Sequence, residues 1–97
     1  MTTNIVTTIQ YEEDNAIIAK AIIREEGNSR LNIIHVWVSP DCRGRGLAGK
    51  ITMEAAEYIQ ARGCKIIADC SYADSWLRSH NIDFEGVGHN PSCMLER

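Results

Sequence analysis

The run RLNIIHVWV (Arg30–Val38) constrains the fold most, because it is apolar on both faces and leads straight into a glycine-rich loop and a helix. Leu31, Ile33, His35 and Trp37 alternate with Ile34, Val36 and Val38. A strand of this kind belongs inside a covered sheet. SPDCRGRGLAGK follows, and from Gly46 to Arg62 the period changes. Leu47, Ile51, Ala55, Tyr58 and Ile59 recur at helical spacing, with Lys50, Glu54, Glu57 and Gln60 on the other side. Gly63 stands where a helix C-cap glycine belongs. CKIIAD (Cys64–Asp69) then reads as a short buried strand. Two strands joined through a helix predict a parallel pair with a crossover.

Upstream, NIVTTIQY (Asn4–Tyr11) puts Ile5, Thr7, Ile9 and Tyr11 on one face, as in a half-exposed strand. EEDN (Glu12–Asn15) and EGNS (Glu26–Ser29) are turns on either side of a second strand, AIIAKAIIRE. Downstream, SYADSWLRSH reads as a short helix with Ser71 as N-cap and an S-x-x-D capping pattern from Ser71 to Asp74. Residues 81–97 fit no single element, although DFEGVGHN suits a short strand and a loop. The expected architecture is α+β: an antiparallel meander followed by a βαβ crossover and a short helix.

The chain has 97 residues, the size of one domain, which is expected to run from 1 to 97. Its net charge of −3, without a basic run and with few aromatics, argues against a nucleic-acid surface. The first ten residues lack the charged and apolar regions of a signal peptide, and no apolar run reaches membrane-spanning length. The sequence therefore predicts a cytoplasmic protein with no membrane partner and reduced thiols at Cys42, Cys64, Cys70 and Cys93.

The loop satisfies three anion-binding patterns, all of which use amides at a helix N-terminus. Gly44, Gly49 and Lys50 form most of a P-loop, but Ile51 stands where a magnesium-binding hydroxyl is required. Thr52 is one residue late, about 100° around the helix. Gly44, Gly46 and Gly49 form a dinucleotide G-x-G-x-x-G, with Asp69 placed like a ribose-binding acid. Against that reading, Ser39–Arg43 separate the glycines from the strand, and the chain has length for too few βα units. Arg43, Gly46 and Ala48 form R-x-x-G-x-A.

HVWVSPDCRGRGLAGKI resembles the cofactor loop of the GNAT superfamily of N-acetyltransferases, in which R-x-x-G-x-A opens a helix after a V-x-V strand. ADCSYADSWLRSH, with Cys70 ending its strand, is similar to the short single-domain Yjdj-like subgroup. The resemblance covers roughly residues 5 to 80 and implies a GNAT-like (acyl-CoA N-acyltransferase) fold. It also implies acetyl-CoA as the acetyl donor and an amine, small molecule or protein, as acceptor. The pyrophosphate of coenzyme A would lie on Arg43, Gly44, Arg45, Gly46, Leu47, Ala48, Gly49 and Lys50. The pantetheine arm would run beside Val36 and Val38, between the two parallel strands. The chain departs from ordinary members in lacking the helices between the first two strands that shape the acceptor site. It also lacks a carboxylate base on the third strand, where His35 stands instead.

The resemblance offers two routes. The amine attacks the thioester directly, or Cys70 accepts the acetyl group first with His35 taking its proton. A thiol just before a helix is set in a favourable dipole. Each residue has a plainer reading, Cys70 as a buried core thiol and His35 as a satisfied core histidine. Cys70, His80, His89 and Cys93 match no compact zinc pattern, so no metal is expected. Two other functions fit the same residues: a coenzyme-A-binding module without turnover, and a regulatory domain that binds a protein.

Overall fold

The computed structural model describes residues 5–90, and side chains from 5 to 86. β1 (Val6–Glu13), β2 (Ala16–Gly27) and β3 (Arg30–Val38) form an antiparallel meander. α1 (Leu47–Ala61) leads to β4 (Lys65–Cys70), and α2 (Ser71–Ser79) leads to β5 (Glu85–Asn90). The strands make one sheet in chain order, with β3, β4 and β5 parallel. The expected α+β meander and crossover are therefore present, and a second crossover extends them. The region left ambiguous by the sequence supplies β5, which β4 specifies by pairing Ile67 with Glu85 and Ala68 with Gly86.

Both hairpin turns are tighter than their polar sequences suggest. Asp14 (φ 50°) and Asn15 (φ 66°) close the first, and Asn28 (φ 55°) and Ser29 (φ 59°) the second. Two consecutive positive φ values are the two-residue turn whose twist matches antiparallel strands. β1 and β2 therefore extend into EE and EG, where turns are expected from the sequence.

One irregularity in β3 changes which residues face the core. Ile22 pairs with His35 and Ile23 with Ile33, so Ile34 is an extra residue bulged out of the ladder. The bulge reverses the alternation beyond it. Leu31 and Ile33 thereby share the helix-covered face with Val36 and Val38, all four in one core cluster. His35 and Trp37 turn to the opposite face beside Ile22 and Lys20, whose ammonium lies 5.8 Å from the Trp37 ring. The expected grouping of Leu31, Ile33, His35 and Trp37 on one face is thus corrected.

α1 buries Ile51, Ala55, Ala56 and Ile59 in that cluster and Thr52 beside them, and α2 buries Ala73 and Leu77. Full burial of an Ile or Leu side chain stabilises by roughly 1.5–3 kcal/mol. Thr52 is the polar exception, and its hydroxyl donates to the Ala48 carbonyl at 2.7 Å. Among the described residues no helix covers the other face of the sheet. None is long and apolar enough to cross a membrane.

Candidate functional site

The Arg43–Lys50 loop is held at both ends and open in between. Before it, the Ser39 amide donates to Ile18, and Pro40–Cys42 make one tight helical turn with Cys42 buried. The Arg43 guanidinium reaches back to the Val38 carbonyl at 3.3 Å. Gly44 (φ 91°) and Gly46 (φ 75°) take left-handed conformations that side chains resist, and Gly46 caps α1. The Lys50 amide then closes the first helical bond, to Gly46. Among the described residues the amides from Arg43 to Gly49 donate to no protein acceptor. They lie at the start of α1, the positive end of its dipole, where an anion is favoured.

The charges around this nest are unequal. Arg45 is bound to Glu13 at 2.7 Å, which ties the loop to β1 and holds the Glu13 carboxyl below its ordinary range. Lys50 lies 5.8 Å from the Tyr11 ring, and the Tyr11 hydroxyl donates to Glu54 at 2.6 Å. Burial and that carboxylate push the Tyr11 phenol well above its usual range. Among the described residues neither Arg43 nor Lys50 is paired with a carboxylate. Gly49 has a separate role: a Cβ there would lie 2.9 Å from Trp76 Nε1, so α2 approaches α1 only over a glycine.

Below the loop, β3 and β4 pair from Arg30 and Lys65 as far as Ile33 and Ala68, then separate. Val36 and Val38 lie on the β3 arm of this fork, and Asp69 and Cys70 on the β4 arm. Side chains of both valines fill the core, which leaves their backbone as the surface a ligand in the fork would meet.

Cys70 is fully buried in the same core cluster and is itself the N-cap of α2, with no side-chain cap hydrogen bond. Ser71, the expected cap, is the first helical residue. The expected capping pattern does not form, because Asp74 is buried and accepts from Arg78 at 2.7 Å. His35 is half-buried on the other face, and burial, then the Lys20 charge, lower its pKa below 6.5. The structure therefore brings Cys70 to the fork but points it away from the face that carries His35.

Cys42, Cys64 and Cys70 are free thiols. Cys93 and the His89 side chain lie outside the described residues. Among the described residues no His, Cys, Asp and Glu cluster could hold a metal. Asn32, buried at 3% exposure next to the fork, is not among the residues expected from the sequence. An amide in the middle of an apolar strand was the available signal.

Residues 7–87 match the model of a family described as GCN5-related N-acetyl-transferase. Among solved structures, the chain is 31% identical to a GCN5-like protein from Staphylococcus aureus, covering 88% of this chain and 85% of that one at a TM-score of 0.61. It is 25% identical to nourseothricin acetyltransferase, at a TM-score of 0.54, over 63% of this chain but only 38% of that one. An aminoglycoside N-acetyltransferase in complex with CoA shares the fold at 13% identity, with a TM-score of 0.59 over 95% of this chain and 66% of that one. No curated protein matches the chain. The family model spans the chain from β1 into β5, and the chain belongs to the GCN5-related N-acetyltransferase family.

Proposed function

We propose that the chain holds acetyl-CoA between the Arg43–Lys50 loop and the β3/β4 fork and transfers its acetyl group to an amine. The observation that carries the reading is the run of unpaired amides from Arg43 to Gly49 at the start of α1. The loop fits a pyrophosphate: its donors have no competing acceptor, and nothing lies within 4 Å of a Cβ at Gly44 or Gly46. Arg43 and Lys50 supply charge, and Leu47, Ala48 and Gly49 supply first-turn amides. Arg45 joins them once it leaves Glu13. The pantetheine arm adds to the β3 edge at Val36 and Val38, as an extended peptide adds to a sheet. Family membership and a CoA-bound structural neighbour support the same ligand.

When bound, acetyl-CoA supplies an activated acyl thioester, and the chain's own groups orient it and move protons. His35 is the base we assign to the incoming amine. Its lowered pKa keeps the imidazole neutral at pH 7, able to take a proton. The amine arrives over the sheet face that carries His35 and has no helix among the described residues. Fixed backbone amides stabilise the developing oxyanion. A second route, with Cys70 as acyl carrier, is favoured by its place at the end of the β4 arm. Its burial and its opposite facing make His35 a poor partner for it.

The test combines binding with turnover. Calorimetry should show coenzyme A binding to the native chain and weakened by roughly tenfold or more in Gly46→Val, because charge-assisted bonds are lost. Release of free CoA thiol from acetyl-CoA, followed across a panel of amines, should identify the acceptor class. Binding without turnover would make the chain a binding module, and absence of binding would leave the regulatory-domain reading. An S-acetylated Cys70 peptide in the mass spectrum would favour the covalent route over direct attack.

A further inference from the structure

We propose that Asn32 is a positioning residue whose side chain rivets the apex of the β3/β4 fork and so sets the opening that receives the pantetheine arm. The inference rests on the acetyl-CoA reading above. Asn32 is only 3% exposed. A buried amide costs free energy unless both its ends are bonded. Here both are. Oδ1 accepts the Asp69 amide at 3.0 Å, and Nδ2 donates to Glu26 Oε2 at 2.8 Å. The same carboxylate oxygen takes Arg24 Nη2 at 2.8 Å and Nε at 3.0 Å. One side chain on β3 thereby links β2 to β4.

The place of this link gives it its role. Asp69 is the residue immediately after Ala68, the last β4 residue in register with β3. A side-chain bond therefore fastens β4 at the point where it leaves the ladder. Two residues beyond Asn32, the Ile34 bulge bends the β3 strand just where its pairing with β4 ends. One device moves one arm and the other holds the second, with Cys70 next in the chain. The hydrogen bonds from Asn32 and then Arg24 hold the Glu26 carboxyl below its usual range, so it is charged at neutral pH. A carboxylate accepts only, which fixes the Asn32 amide with its nitrogen toward Glu26 and its oxygen toward Asp69. Without the rivet the Asp69 amide must find water or β3 backbone, and the β4 arm either frays or closes.

Two ligands separate this role from a general contribution to folding. Coenzyme A uses both loop and fork, whereas ADP carries a pyrophosphate but no pantetheine and uses the loop alone. In Asn32→Leu we expect the coenzyme A Kd to rise about tenfold, the size of one lost hydrogen bond. The ADP Kd should stay unchanged, and the Asp69 amide should exchange faster with deuterium. Asn32→Asp sets two carboxylates together and should weaken coenzyme A binding similarly. Adding Glu26→Gln together with Arg24→Met reverses donor and acceptor without setting a guanidinium against the new amide and should restore it, and this combination carries the comparison if Asn32→Leu does not fold. Equal coenzyme A affinity in native and variant chains overturns the rivet alone. So does equal weakening of both ligands, or a combined variant no better than Asn32→Asp. A native chain that binds ADP but not coenzyme A overturns the acetyl-CoA reading and this inference with it.

Discussion

Two single residues, His35 and Gly49, report on the chemistry and on the packing of the helices. The folded chain lowers the His35 pKa, so the unfolded chain binds more protons at pH values between the lowered value and 6.5. Its contribution to stability is thus complete above pH 6.5 and is lost as pH falls through the folded value. If His35 is the base, the acid limb of kcat/KM falls below 6.5 and disappears in His35→Gln. Lys20→Met removes the smaller of the two causes and should move that limb upward, toward 6.5. A pH–rate profile in which His35→Gln keeps the native acid limb would remove His35 from the chemistry. Gly49→Ala tests packing instead. Its Cβ would lie 2.9 Å from the Trp76 indole nitrogen, and overpacking of this kind costs about 1–3 kcal/mol. Thermal unfolding should register the loss, and an unchanged midpoint would mean that α2 yields freely.

Among the elements, the Arg43–Lys50 loop is tied to β1 through the Arg45–Glu13 pair. Both side chains are about half exposed, so the pair adds little to stability. It does engage a cation within the proposed anion site. Glu13→Gln should leave the unfolding midpoint unchanged and tighten coenzyme A binding a few-fold, with a steeper salt dependence. Weaker binding would show that the pair orders the loop rather than competing for Arg45. The loop, α1 and the parallel strand after it were legible in the sequence because glycine spacing and a change of period are local signals. The β3 bulge was not, since nothing in NIIHVW marks Ile34 as the extra residue and the partner strand decides it. β5 was hidden for a similar reason, because EGVGHN becomes a strand by pairing with β4 rather than by its own propensity.

At the scale of the whole molecule, the sheet is asymmetric in a way that matches the proposed division of labour. Both helices pack into the core cluster on one face, where Cys70 and the side chains of Val36 and Val38 are buried. The other face carries His35 and Trp37, beside Ile22 and Lys20. A ligand threaded through the fork between them would present its reactive end to both. The sequence indicated the glycine loop that opens α1 and the two strands of the fork, but not this sidedness, because one bulged residue decides it. The most direct test of the central claim is to titrate the isotope-labelled chain with coenzyme A and follow every backbone amide by NMR. The largest shift changes are expected in the amides from Arg43 to Gly49, with a second group at Val36, Val38 and Asp69. Shifts confined to other surfaces, or none at saturating coenzyme A, would contradict it.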